Sequence, residues 1–405
     1  MRKAVILSLD AMFDQDIARL PENSFLRRML AQGASCTRVK TVFPSLTYPA
    51  HTTLITGCDP AQHGIGHNQP HQLGVSPENR KWYWELKQIA RETLFEAVHR
   101  QGGRCASMLW PVSGKTRHIR WNFPEVLALP GENQVLKMLA YGSAPWILHM
   151  ELKHGRERVS TKEPYLSDYA AVLCRDVIKA HQPELTCVHM VALDEARHLH
   201  GVYSAEALDA MVRLDRHVQT IWDTMQQTPG MEDALLIVVS DHGQADVNRT
   251  VNLTELLAEN GWNGETLGVQ SCGMSAYVYI DDEDDIPRVK QYITDHAREF
   301  GVERVYDRQA LDQMGCVAKV DLAVEAMPGV VFSDALEEEK REAATHGFGP
   351  GHPAENCLFA VLGQGVRAGS VIPEMRMRDV APTIASLMGI SLLEADGEDY
   401  CRSMV

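Results

Sequence analysis

Residues 234–243 read ALLIVVSDHG: six apolar residues, then Ser240, Asp241, His242 and Gly243. A short apolar run closed by polar residues and glycine is a strand candidate, and four further runs resemble it: Ala4 to Leu9, Cys105 to Leu109, Thr186 to Ala192 and Leu358 to Leu362. Longer stretches of helical period separate them. From Ser204 to Met225 an N-capping serine leads a face of Leu208, Met211, Val212, Val218, Ile221, Trp222 and Met225. A second helix, Asp379 to Leu387, is stopped by Gly389. The alternation predicts an α/β fold with a mostly parallel central sheet and helices on both faces. Residues 249–345 differ, with an alternating run at Ala276 to Ile280, an acidic turn at Asp281 to Asp285 and a charged stretch at Glu337 to Glu342. They are expected to form a small inserted α+β cap on a catalytic unit made of 1–248 plus 346–405.

Composition narrows the function. The 405 residues carry 39 Lys and Arg against 54 Asp and Glu, a net charge of −15, with the basic residues scattered and no basic patch visible. Such a surface repels phosphate backbones and anionic bilayers, so neither a nucleic-acid polymer nor a membrane is expected as partner. MRKAVILSLD at the start reads as a strand and not a signal peptide, and no run approaches the ~18 apolar residues of a membrane span. Nine widely spaced cysteines with no C-x-x-C pair read as reduced thiols, so a soluble cytoplasmic protein is expected. A homodimer is left open.

Ligands of an open α/β sheet sit beyond the carboxyl ends of its strands. Acids and imidazoles recur there: Asp10 after the first strand, Asp194 and His198 in VALDEARHLHG, Asp241 and His242 in VVSDHG, and His346 and His352 in ATHGFGPGHP before the Leu358 strand. One Asp after a strand is ordinarily a turn or cap residue. Several such groups on one edge call for a cation, and mixed Asp/His ligation suits zinc or a similar divalent metal. Two ions held about 4 Å apart clamp the attacking and leaving oxygens of phosphoryl transfer. A nucleophile is available in TVFPSLTYPAHTTLITGCDPAQHGIGHN, residues 41–68, where Thr47 stands at the start of a helical stretch. Plain N-capping is the competing reading of Thr47 and Ser45.

These residues resemble the alkaline phosphatase superfamily, in particular its type I phosphodiesterase and nucleotide pyrophosphatase branch. The T-x-P-x-H pattern is met by Thr47, Pro49 and His51, and T-G-x-x-P-x-x-H-G by Thr56, Gly57, Pro60, His63 and Gly64. D-x-x-x-H follows at Asp194 and His198, S-D-H-G at Ser240 to Gly243, and H-G at His346 and Gly347, in the family's order from residue 4 to about 390. The resemblance implies an alkaline phosphatase-like fold and two zinc ions. Asp10, Thr47, Asp241 and His242 would hold one of them and Asp194, His198 and His346 the other, with His352 the alternative to His346. It also implies Thr47 as nucleophile and Asn68 as donor to a non-bridging phosphate oxygen. Two positions depart from the pattern: Ala11 stands where glycine often follows the first Asp, and Ala50 where asparagine is common. His51, His63, His67 and His200 are expected to be structural or supporting groups.

The expected reaction is hydrolysis of a small phosphorylated substrate, a phosphodiester or nucleotide pyrophosphate, through a covalent phospho-threonine. A phosphonate hydrolase or phosphomonoesterase on the same site is the runner-up, kept open by Arg197 inside the D-x-x-x-H motif, since a dianionic monoester favours an extra cation. A sulfatase is disfavoured by the lack of a Cys or Ser nucleophile motif. The rival from another class is a non-catalytic binding protein stabilised by its metals.

Overall fold

The computed structural model describes residues 1–405 apart from 73, 260, 263–265 and 335–341. Among the described residues nine strands form the main sheet. Its order runs Ser370–Val371, Ala34–Lys40, Asn356–Leu362, Leu235–Val239, Ala4–Leu9, Leu185–Met190, Cys105–Met108, Trp121–Phe123, with Met375–Arg376 also paired to Ala34–Lys40. Ala4–Leu9 lies parallel to both neighbours, with Ala4 opposite Leu185 and Leu235. Asn356–Leu362 is antiparallel to Ala34–Lys40 and to Leu235–Val239, so every longer strand except this one points the same way.

Both faces of the sheet are apolar because side chains alternate along a strand. Ala4 and Ile6 enter one core with Leu54, Phe95 and Ile384 from the helices Thr47–Thr56, Leu94–Arg100 and Val380–Met388. Val5, Leu7 and Leu9 enter the other with Met29, Val177 and Leu214 from Phe25–Gln32, Tyr165–His181 and Ala205–Gln227. Ser204 Oγ caps the last of these, accepting from Ala207 N at 3.1 Å. Gly389 ends Val380–Met388 in the left-handed region at φ 69°.

A four-stranded antiparallel sheet, ordered Val302–Tyr306, Leu322–Ala326, Ser275–Ile280, Leu267–Ser271, lies within the segment read as the cap. Val278, Val289, Phe300 and Val324 pack in its core. The charged stretch Glu337 to Glu342 falls outside the described residues except for Glu342.

Two strand readings require correction. The run Thr186 to Ala192 is a strand only to Met190; Ala192–His200 is a helix, so Asp194 and His198 sit one turn apart on one helical face. The strand Ala34–Lys40, ASCTRVK, was missed because it holds Ser, Thr, Arg and Lys and is defined mainly by its partners.

Candidate functional site

Topology places the site. Asp10 follows Ala4–Leu9, Asp241 and His242 follow Leu235–Val239, and Thr47 follows Ala34–Lys40, all at the carboxyl edge of parallel strands. His346 precedes its strand, but Asn356–Leu362 runs the opposite way and so presents its entry loop at that same edge. Gly347 makes that loop possible. Its φ is 92°, and a Cβ there would lie 1.5 Å from the carbonyl oxygen of Cys272.

The ligating atoms gather into two groups, Asp10 with Asp241 and His242, and Asp194 with His198 and His346, each with atoms within 4.8 Å of one another. In the first, His242 Nε2 lies 3.1 Å from Asp241 Oδ2 and 3.5 Å from Asp10 Oδ1. Burial, and after it the neighbouring His346, hold His242 well below the ordinary imidazole value, so the ring is neutral. Asp10 Oδ1 and Asp241 Oδ2 are buried and accept no hydrogen bond. Burial and then the charge of Asp194 push Asp10 up to about 7, and burial followed by Asp10 raises Asp241 well above the carboxylate range. Beyond His189 Nε2 donating to Asp10 Oδ2 and Ala11 N donating to Asp241 Oδ1, lone pairs converge here without a partner, and this donor set fits a divalent cation.

Thr47 opens the helix Thr47–Thr56, and its Oγ1 is 3.3 Å from His242 Nε2. It is not a cap: Leu46 holds the N-cap position without a side-chain bond. Ser45 Oγ instead accepts from Gly347 N at 3.0 Å and donates to Phe348 O at 3.3 Å, tying the two loops together. Asn68 Oδ1 accepts from Tyr48 N at 3.0 Å, which leaves its amide hydrogens to donate elsewhere.

In the second group His198 Nε2 is 3.4 Å from Asp194 Oδ1. Despite burial, the charge of His198 and its hydrogen bond hold Asp194 well below the usual carboxylate range. His346 Nδ1 donates to Ser45 O at 2.8 Å, so its Nε2 lone pair is left for a ligand. Its ring stacks on His242 at 3.8 Å, joining the two groups. His352 lies apart: it stacks on Phe348 at 4.1 Å, Nδ1 accepts from Ala354 N, and it belongs to neither group. The six-residue step past Gly347 carries it outward, so it is not an alternative to His346.

Arg197 is also corrected. It points away from the cavity and is fully buried, with Nη2 2.6 Å from Asp16 Oδ1, Nε donating to Val202 O at 3.1 Å and Nη1 donating to Ala11 O. All three guanidinium nitrogens are engaged, so none reaches a substrate.

Several groups escaped the sequence reading. His189 donates from Nε2 to Asp10 Oδ2 at 2.8 Å, while Nδ1 lies 3.2 Å from Glu125 Oε2. Gln244 Nε2 donates to Asp194 Oδ1, and Glu342 Oε2 sits 3.2 Å from His198 Nδ1. Such partners orient ligating groups. The signal for His189 was a lone imidazole in the apolar strand LTCVHM; nothing local marks Gln244 or Glu342. His51 donates from Nδ1 to Thr47 O and accepts at Nε2 from Ser8 Oγ, both at 2.8 Å, which fixes the first helical turn.

Both groups open into a cavity of about 1090 Å³. Its walls include Asn68, Tyr48 and Trp82, the two rings edge to face at 5.3 Å, with Ser271 from the four-stranded sheet and Thr250 and Asn252 from a strand paired to Val330–Ser333. Among the described residues no Lys or Arg lines it.

Residues 4–348 match the model of the type I phosphodiesterase / nucleotide pyrophosphatase family. A Caenorhabditis elegans ectonucleotide pyrophosphatase/phosphodiesterase is 24% identical over 69% of this chain and 33% of its own length. Human ectonucleotide pyrophosphatase/phosphodiesterase family member 1 is 21% identical over 56% of this chain and 22% of its own. The chain thus spans a third or less of these curated relatives. Murine ectonucleotide pyrophosphatase/phosphodiesterase 5 superposes with a TM-score of 0.72 over 98% of both chains at 17% identity. An inactive form of that murine protein has been solved in complex with AMP.

Proposed function

The chain belongs to the type I phosphodiesterase/nucleotide pyrophosphatase family, and on that premise we propose that it hydrolyses phosphodiester or nucleotide pyrophosphate bonds of a small substrate. The observation that carries this reading is the position of Thr47 Oγ1, 3.3 Å from His242 within the first ligand group and at the wall of the cavity both groups share. Asp10, Asp241 and His242, with Thr47, would hold one divalent ion, and Asp194, His198 and His346 a second; the donor set suits zinc. When bound, such ions lower the pKa of a nearby hydroxyl and stabilise the charge of attacking and leaving oxygens.

Thr47 Oγ1 attacks phosphorus in line with the leaving oxygen and forms a phospho-threonine, which water then hydrolyses. The Asn68 amide donates to a non-bridging oxygen, whose charge grows in the transition state. His51 and the helix start fix the threonine backbone, so little reorganisation accompanies attack. Tyr48 and Trp82 offer ring faces to an aromatic substituent such as a base. A dianionic monoester would gain from a cation beyond the metals, and no Arg or Lys lines the wall among the described residues. That favours the diester reading over the monoesterase.

A chromogenic panel of phosphodiester, phosphomonoester, phosphonate and sulfate esters, with metal content measured on the same sample, tests the proposal. Chelator-sensitive turnover greatest on the diester is expected, and Thr47→Ala should abolish it while retaining metal. Undiminished activity in that variant removes the nucleophile assignment; bound metal with no turnover of any ester would make the protein a metal-stabilised binder.

A further inference from the structure

A second cavity, of about 360 Å³, lies at the opposite edge of the main sheet, where the helix Leu94–Arg100, the Gly102–Gly103 turn and the loop before Trp121 meet. Arg104, Arg117 and Arg120 line it with His99 and His118, and among the described residues no carboxylate does. The sequence is unusual there: between Glu96 and Glu125 there is no Asp or Glu, in a chain with 54 of them. Arg100 and Lys115 in the same stretch are paired, with Glu92 and Glu85. Arg104 is engaged, its Nε 3.5 Å from Glu184 and its Nη2 donating to His181 O at 3.2 Å, but Arg120 has only the face of Trp121 at 5.4 Å and Arg117 no ion pair or hydrogen bond among the described residues.

One further observation points to a ligand. His118 Nδ1 is buried without a hydrogen-bond partner, while its Nε2 lies 3.9 Å from Glu96 Oε1. The carbonyls of Ala97, Val98 and His99 near the end of Leu94–Arg100 accept from the amides of Gln101, Gly102 and Gly103. The site is separate from the catalytic edge. Cys105 is level with Leu185, which pairs with Ala4, and Asp10 lies six residues further along that strand, about 20 Å away at about 3.3 Å per residue.

The geometry points to a second binding site on this protein, an arginine pocket for a phosphate-type oxyanion, either inorganic phosphate or the phosphate of a small monoester. Guanidinium groups bind such oxygens through paired, charge-assisted hydrogen bonds, and three of them around one cavity outweigh the acidic charge of the whole chain locally. The volume holds a phosphate with a small attached group.

Equilibrium dialysis of labelled inorganic phosphate against the metal-loaded full chain tests this. Wild type should bind about one equivalent more than Arg117→Ser/Arg120→Ser, whose affinity at this pocket falls at least about tenfold. Lys substitutions at both positions should retain most of it, and diester turnover without added phosphate should be unchanged in either variant. If the catalytic reading fails, the metal-dependent equivalent vanishes from both proteins and the difference between them remains. Should the double variant not fold, Arg117→Gln, which sacrifices no partner, carries the same expectation. Competition by a nucleoside monophosphate stronger than by phosphate identifies the monoester as ligand, and weaker competition identifies the free ion; both support the pocket. Equal phosphate stoichiometry in wild type and the serine variant overturns it.

Discussion

Arg197 offers the sharpest test of how the site is held. It lies between Asp194 and His198 in sequence, yet its guanidinium is spent on Asp16, Ala11 O and Val202 O. Asp16 is fully buried too, and apart from Arg197 its carboxylate accepts from Phe13 N at 3.0 Å. Burial raises Asp16 even with the arginine in place. Replacing Arg197 with Met keeps most of the volume but leaves a buried carboxylate and two carbonyls without their donor. Removing one partner of a buried pair costs about 3–5 kcal/mol, and the orphaned carbonyls add about 1 kcal/mol or more. Arg197→Met should therefore lose about 4–6 kcal/mol in urea unfolding monitored by fluorescence. The double variant Arg197→Met/Asp16→Leu should recover at least about half, because no charge remains buried and unpaired. Ala11 N also donates to Asp241 Oδ1 at 3.2 Å, so the single variant should lower metal retention as well. A loss below about 1 kcal/mol, or unchanged stability with a raised KM confined to monoesters, would refute this reasoning and return Arg197 to the substrate.

Other consequences are simpler to measure. Ala11 holds a φ of 63°, a conformation costly for any residue with a Cβ, so Ala11→Gly should stabilise by about 0.5–1 kcal/mol in a melting scan, strain relief exceeding the added chain entropy; a lower Tm would contradict this. His63 accepts at Nδ1 from Ile65 N and donates from Nε2 to Thr53 Oγ1, and burial pushes it down to about 3. The unfolded chain takes up that proton near pH 6.5, so stability is unaffected above that pH and falls by about 1.4 kcal/mol per unit between there and about pH 3. His63→Gln should flatten the pH dependence of the urea midpoint, and an unchanged slope would exclude this group as its source. Chelation should lower the melting temperature, and added zinc should restore about 4 kcal/mol at a thousandfold excess over Kd; a melt indifferent to both contradicts metal at the two groups.

Local chemistry made much of this legible. The ordered short motifs named seven ligand candidates and Thr47 because coordination needs particular donor types, and these are visible wherever they stand. Asp194 and His198 share a helical face at i and i+4, a spacing written in the chain even though the strand before them ends sooner than its apolar pattern suggests. The choice of His346 over His352 was not local. It rests on Gly347, whose positive φ under Cys272 lets the chain turn after one imidazole and carry the next away.

What the sequence by itself determined was the α/β class, the family and the candidate ligand donors, since apolar periodicity and donor type are properties of short segments. Only the tertiary structure decided which groups support them. His189 meets Asp10 across 179 residues, and Asp16 draws Arg197 inward across 181. The same holds for charge: arginines at 104, 117 and 120 share a stretch without acids, but only the sheet edge brings them around one cavity. Hydrogen bonds and fields depend on distance in space, and only packing sets that distance.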